Sequence, residues 1–253
     1  MRERFAVIGQ GRTGTTMLGS ALGTHPAVLM HGEIFGHPYY PLNFYGVDPD
    51  LPWPTPLELY LKRVRDTDTA RFLDELVFAP TGRVATGFKF KFEEFSLWPQ
   101  VIDYLRTRRM KILLVYRRNL WHRYLSEIEA GLSGFFNTSD RTSTAPADPA
   151  ALGLKITPEG VLDAFRESEE YIRLFDEKFK ENPILRVAYE DLVGSYTEEF
   201  SKIVDFVGVV RQEVQPFSSR RTGARGIDEL VDFTAIEAFF RGSRYEAFFA
   251  ESA

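Results

Sequence analysis

The residues best suited to chemistry lie near the start of the chain, in Phe5–Leu22, FAVIGQGRTGTTMLGSAL. Phe5, Ala6, Val7 and Ile8 read as a buried strand, Gly9–Gly14 as a glycine-rich turn, and Thr15-Thr16 as the opening of a helix. A strand, loop and helix in this order aim several backbone N–H groups and a positive helix end at one point, which suits a phosphate or a similar anion. The spacing Gly9-x-x-x-x-Gly14-Thr15-Thr16 is that of a nucleotide P-loop, except that Thr15 stands where an ATPase or GTPase has lysine. A basic residue, Arg12, lies inside the loop instead. The pattern predicts a phosphorylated donor, without the lysine that serves the β- and γ-phosphates of a triphosphate.

A second group of polar residues follows a buried run, in LLVYRRNLWHRYLS, residues 113–126. Arg117-Arg118 closes the apolar run, and Ser126 comes eight residues after Arg118. An arginine fork at a strand end and a hydroxyl on the next helix can hold a second phosphate. The plain alternative is an ion pair and a surface serine, but beside the first loop the phosphate reading is preferred. An arginine pair suits phosphate and is wrong for Mg²⁺. No acidic residue ends this strand, and no cluster of His and carboxylates has metal-ligand spacing, so no metal is expected.

The elements that must position these residues alternate. Strands are predicted at 84–92, 111–116 and 184–189, besides the first. Helices are predicted from Thr15, across 57–78 (as one or two), and over 97–108, 119–130, 157–180 and 196–207. A last helical segment follows the basic stretch Arg220–Gly226. In VATGFKFKF, residues 84–92, Phe88, Phe90 and Phe92 fall on one face and Lys89 and Lys91 on the other. Alternating strands and helices predict an α/β fold, with a central parallel sheet flanked by helices in three P-loop-like layers. Ligands of such sheets bind at the carboxyl ends of the strands, where the first loop and Arg117-Arg118 both lie. The whole chain, 1–253, is expected to form one domain, with a Pro-rich and aromatic acceptor-side insertion at about 34–56 and a mobile loop at about 133–153. Phe35, Tyr39, Tyr40, Phe44, Tyr45 and Trp53 of the insertion could line an acceptor pocket or pack as a lid.

Composition narrows the partners. A net charge of −5 argues against a nucleic-acid coat, so anion binding must come from local arginines. The absence of cysteine removes disulfides and thiol catalysis. The first strand starts within a few residues of Met1, leaving no room for a signal peptide, and no apolar run approaches the ~20 residues of a membrane span. A cytoplasmic location is expected.

Taken together, these motifs resemble sulfotransferases that use 3′-phosphoadenosine 5′-phosphosulfate (PAPS), in their bacterial carbohydrate-type and Stf0-like branches. Gly11-Arg12-Thr13-Gly14-Thr15-Thr16 matches the loop that holds the 5′-phosphosulfate. Arg118 and Ser126 match the pair that holds the 3′-phosphate, and Tyr189-Glu190-Asp191-Leu192 matches a phrase whose tyrosine lies near the adenine. Arg221-Thr222-Gly223-Ala224-Arg225-Gly226 is similar to a late Arg-Lys-Gly-x-x-Gly segment that closes on the 3′-phosphate, although its lysine is missing here. Lys89-Phe90-Lys91 stands where many cytosolic members have Lys-Thr-His, so the lysine is kept and the histidine is not. His31-Gly32-Glu33-Ile34-Phe35 resembles the bacterial branches, in which a glutamate after the first helix is the proposed base.

The resemblance therefore implies Glu33 as general base, with His31 as its rival, and Lys89 and Arg12 on the transferred sulfuryl. Near so anionic a donor, the Glu33 pKa is expected to rise. The plain alternatives are a helix cap or ion pair for Glu33 and a solvated strand lysine for Lys89. His25, His37 and His122 read as structural or surface residues. The expected reaction is in-line transfer from PAPS, leaving 3′,5′-ADP, to a hydroxyl of a small molecule or glycan (a carbohydrate, lipid or secondary metabolite). A divergent P-loop kinase or NTPase, or a non-catalytic nucleotide-binding protein, are the alternatives.

Overall fold

Seven residues, Glu3–Gly9, form strand β1, and the apolar run Phe5–Ile8 within it is fully buried. The structure, a computed structural model, describes residues 2–36, 56–133, 155–212 and 231–250. The described residues group into two compact units, one drawn from Met1–Tyr116 and Phe175–Phe217, the other from Arg117–Leu174 and Ser218–Ala253.

In the first unit β1 leads through the glycine loop to α1 (Thr15–Thr24), then to β2 (Val28–Met30). Helix α2 (Pro56–Thr67) and the short α3 (Thr69–Arg71) run into a π-helical turn, Phe72–Val77. Strand β3 (Ala85–Lys91), a 3-10 turn (Phe92–Glu94), α4 (Pro99–Thr107) and β4 (Lys111–Tyr116) follow. After α5 (Leu120–Ser133) and α6 (Pro158–Phe179) come β5 (Ile184–Ala188), α7 (Tyr189–Gly194) and α8 (Tyr196–Val207). The five strands are all parallel, in the order β2-β3-β1-β4-β5.

Register places the chemistry. Val7 pairs with Lys89 and Gly9 with Lys91, so the glycine loop leaves the sheet beside the two lysines, at the carboxyl edge. Alternate residues of a strand face opposite sides. On one side Phe5, Val7, Leu113, Val115 and Val187 pack with Leu18, Ala21 and Leu22 of α1 and with Phe200, Ile203, Val204 and Val207 of α8. On the other, Phe35 meets Phe72, Phe88 and Phe90 at ring-centroid distances of 5.6–5.9 Å. Phe92 and Phe95 meet Phe175 and Phe179 near the end of α6. Helices thus cover both faces of a parallel sheet, the three-layer α/β fold expected from the sequence. The close approach at the centre of the sheet demands glycine at position 87, where a Cβ would lie 2.3 Å from the Phe5 ring.

The second unit packs Trp121 of α5, Val161 and Phe165 of α6, and Ile236 and Phe240 of α9 (Phe233–Phe240) around Tyr245 and Phe249. Asn119 opens α5: its Oδ1 accepts the His122 N–H at 3.0 Å, and its Nδ2 donates to the Phe248 carbonyl at 3.0 Å.

Two elements escape the sequence reading. Strand β2 has only three residues, too few to show a period, and precedes the proline-rich stretch. The Tyr189-Glu190-Asp191-Leu192 phrase is itself helical, as α7. Phe35, a candidate pocket residue, is in the core at 2% exposure. Tyr39, Tyr40, Phe44, Tyr45, Trp53, His37 and nearly all of the 133–153 loop lie outside the described residues.

Candidate anion-binding and transfer site

The loop after β1 is shaped by close packing and unusual backbone. A Cβ at Gly9 would lie 2.5 Å from the Val115 carbonyl oxygen and 2.8 Å from the Thr15 methyl, so only glycine lets the chain turn off the sheet here. The Thr13 hydroxyl donates to the Gln10 carbonyl at 2.7 Å and braces the turn. Arg12 has φ 68° and Gly14 φ 93°. A left-handed arginine costs roughly 1–2 kcal/mol, a strain typical of backbone held for a purpose.

Helix α1 then starts with Gly14 as N-cap, no side-chain cap and no acidic residue in its first turn. Its first N–H groups and its dipole suit an anion. The ring of Tyr189, first residue of α7, packs against Gly14, where a Cβ would stand 2.7 Å from Tyr189 Cδ2. The Gly11 N–H of the loop is engaged within the protein, donating to Glu93 Oε1 at 2.9 Å.

Beside the loop lies a charged chain. After β2 the backbone stays along β3, with the His31 N–H donating to the Gly87 carbonyl at 2.8 Å and the Lys89 N–H to the Gly32 carbonyl at 3.1 Å. That ladder carries Glu33 to the lysine face of β3. Lys89 Nζ donates to Thr16 Oγ1 and to Glu33 Oε1, both at 2.8 Å. Lys91 Nζ lies 2.9 Å from Glu33 Oε2. The side chains of Lys89, Glu33 and Lys91 are 3%, 17% and 30% exposed. Burial alone would raise the Glu33 pKa, but the Lys89 and Lys91 ammonium groups outweigh it and hold the carboxyl down at about 2. This corrects the expected elevation, because the sequence did not reveal that two lysines would converge on this glutamate.

His31 has a different environment. Burial holds its ring neutral, with a pKa of about 4, and Nε2–H donates to the Val77 carbonyl at 3.1 Å. That ring ties the β2 end to the π-helical turn. His25 is also structural, with Nε2–H donating to the Val210 carbonyl at 2.9 Å and Nδ1 accepting the Ala27 N–H at 3.1 Å.

The structure thus brings Gly11, Arg12, Thr13, Gly14, Thr15, Thr16, Glu33, Lys89 and Tyr189 to one end of the sheet in the first unit. Sequence reasoning missed Lys91 as a partner of Glu33, although its place on the Lys89 face was a usable signal. In the second unit Arg118 is exposed just ahead of α5, and Ser126 is half-buried on that helix. Arg221 and Arg225 lie outside the described residues. Among the described residues no group of three or more His, Asp or Glu side chains is placed to hold a metal, and no helix is long and apolar enough to cross a membrane.

A glycine loop at a helix N-terminus, opening at the carboxyl edge of a parallel sheet, defines a P-loop-like α/β fold. No protein-family model matches the chain. It is 25% identical over 251 residues, 98% of this chain and 95% of the relative, to Nodulation protein H of Rhizobium meliloti (strain 1021). The crystal structure of a sulfotransferase from Alicyclobacillus acidocaldarius superposes with a TM-score of 0.50 at 18% identity, covering 98% of this chain and 95% of that one. The crystal structure of mouse sulfotransferase SULT7A1 complexed with PAP gives a TM-score of 0.46 at 12% identity, covering 97% of this chain and 74% of that one. The chain thus shares its fold with the Alicyclobacillus acidocaldarius sulfotransferase and is similar in sequence, over nearly its whole length, to Nodulation protein H.

Proposed function

We propose that the protein transfers a sulfuryl group from PAPS to a hydroxyl of a small-molecule or glycan acceptor. The observation that carries this reading is Lys89, whose ammonium bonds Thr16 of the anion loop and Glu33 at once. It ties a site for an anionic leaving group to a carboxylate able to take a proton, the two parts that group transfer to a hydroxyl needs.

PAPS supplies the activated sulfuryl group. Glu33 accepts the acceptor hydroxyl's proton. Lys89 and Arg12 offset the negative charge that builds on the sulfuryl and bridging oxygens. Thr16, which accepts from Lys89, is assigned to the 5′-phosphate together with the N–H groups of the loop. Thr15 is assigned to the 5′-phosphate as well. Tyr189, packed on Gly14, is assigned to the adenine side. Arg118 and Ser126, with Arg221 and Arg225 of the late basic segment, are assigned to the 3′-phosphate on the strength of the sequence resemblance. Fixed dipoles and alignment supply most of the rate in such transfers.

Calorimetry in EDTA with 3′,5′-ADP, 5′-AMP and, separately, ATP with Mg²⁺ tests the donor. Metal-free binding of 3′,5′-ADP that weakens at least tenfold without the 3′-phosphate, and again in Arg118→Ala, is expected. Binding of ATP with Mg²⁺ alone would overturn the reading.

A further inference from the structure

Glu94 is a buried carboxylate that the proposed reaction does not use. It ends the 3-10 turn after β3, and its Oε2 accepts the Lys91 backbone N–H at 3.0 Å, capping that turn. Its Oε1 is buried and, among the described residues, has no hydrogen-bond partner. A buried carboxylate oxygen left so costs stability, which calls for a reason. The nearest cation is informative: Lys91 Nζ lies 3.8 Å from Glu94 Oε1 and 2.9 Å from Glu33 Oε2. Gly36 allows the crowding, since a Cβ there would lie 3.3 Å from Glu94 Oε1 and 3.4 Å from Glu33 Cβ. One flexible ammonium thus stands between two carboxylates, bonded to one and within a small shift of the other.

We propose that Glu94 is a positioning residue acting through Lys91: when ionised it draws the Lys91 ammonium away from Glu33 and leaves that Glu33 oxygen free to take a proton. The inference rests on the reading of Glu33 as the base. Two lysines make Glu33 a weak base, so a device that loosens one of them raises its competence without disturbing Lys89, the lysine bonded to the loop. The two carboxyls are pushed apart in the manner of acid–base pairs, Glu33 down to about 2, and Glu94, by burial, up to about 7. The charged groups that face Glu94 are Lys91, Glu33 and Glu93. Lys89 bonds Glu33 in turn, and Arg65 of α2, which reaches the 31–36 segment, bonds the Ile34 carbonyl and Asp66.

The test combines two readouts. Carbon-13 titration of the glutamate side chains in the ligand-free protein should show one carboxyl titrating near pH 7 that is absent in Glu94→Gln. The Glu33 resonance should follow the same step in wild type, and lose it in both Glu94→Gln and Lys91→Met. A Glu33 resonance that shows no step near pH 7 in wild type, or keeps it in Glu94→Gln, overturns the proposal, whether or not the protein turns over PAPS. In turnover assays kcat should rise from pH 6 to pH 8. Glu94→Gln should lower it roughly tenfold at pH 8 and little at pH 6, leave the KM for PAPS unchanged, and have no further effect in Lys91→Met, as expected of coupled neighbours. Glu94→Asp keeps the charge and should keep the pH dependence. A lost KM, or a pH-independent loss, would mark Glu94 as merely structural. A wild type that shows the carboxyl coupling but no sulfuryl transfer would sink the assigned function and leave the Lys91 device standing.

Discussion

Lys89 Nζ lies 2.8 Å from Glu33 Oε1, although 56 residues separate the two in sequence. They meet because the backbone after β2 continues along β3, although α2, α3 and the π-helical turn separate them in sequence. The same ammonium reaches Thr16 at the start of α1. Charge on Glu33 and charge at the glycine loop are therefore coupled through one buried lysine.

Glu33→Gln should separate binding from chemistry. The neutral amide still accepts from Lys89, so the loop keeps its shape and the dissociation constant for 3′,5′-ADP should stay within about threefold. If Glu33 takes the hydroxyl proton, kcat falls by about 10²–10⁴, the range for a lost general base. Pre-steady-state assays under saturating PAPS measure the chemical step, and an unchanged rate would remove Glu33 from that role.

Stability should carry the signatures of both carboxyls. Glu33 is held below the ordinary glutamate value of 4.5, at about 2, so its contribution is present above pH 4.5 and is lost as pH falls towards 2. Glu94 is raised from 4.5 to about 7, so its contribution is present below pH 4.5 and is lost as pH rises through 7. Each effect has a limiting slope of about 1.4 kcal/mol per pH unit while one proton differs between the folded and unfolded states. Glu94→Gln should therefore raise Tm relative to wild type above pH 7, and the Tm deficit of Glu33→Gln should narrow below pH 4.5. Calorimetric scans from pH 3 to pH 9 compare these gaps, and parallel curves for wild type and Glu94→Gln would contradict the assignment.

Gly14→Ala should disable the anion loop. The new methyl would meet the Tyr189 ring at 2.7 Å, and φ 93° is itself strained for alanine. A destabilisation of roughly 1–3 kcal/mol is expected for such strain and overpacking, with loss of 3′,5′-ADP binding. Adding Tyr189→Ala relieves the clash but not the backbone strain, so denaturant unfolding should show partial recovery of stability. Full recovery would mean that the φ at position 14 carries no cost.

The alternation of strands and helices, the glycine loop and the lysine face of β3 were all legible because each is a local pattern of spacing. The alignment of β2 beside β3 was not legible, since three residues carry no period and register is a tertiary property. Every feature that depends on it was hidden too: Lys91 as a second partner of Glu33, the resulting downward shift of the Glu33 pKa, and the burial of His31 against Val77. Glu94 was hidden for another reason. In Phe92-Glu93-Glu94 residue type alone does not tell the two adjacent carboxylates apart, yet the 3-10 geometry turns Glu94 inward while Glu93 stays exposed.

Glu93 gives the last prediction. Its carboxylate accepts the Gly11 N–H at 2.9 Å, a donor of the same loop that is assigned to the phosphosulfate. A carboxylate and a phosphosulfate oxygen compete for such a donor, and nearby negative charge repels an anionic ligand in addition. Glu93 is exposed, so releasing it to water costs little and the competition is modest. Glu93→Ala should tighten binding of 3′,5′-ADP by about 2–10-fold, the worth of one hydrogen bond in free energy. Glu93→Gln should fall between, because the amide still accepts but has lost its charge. Tighter binding that grows at low salt would identify repulsion as the larger part, whereas weaker binding in Glu93→Ala would show that the bond braces the loop in its binding shape.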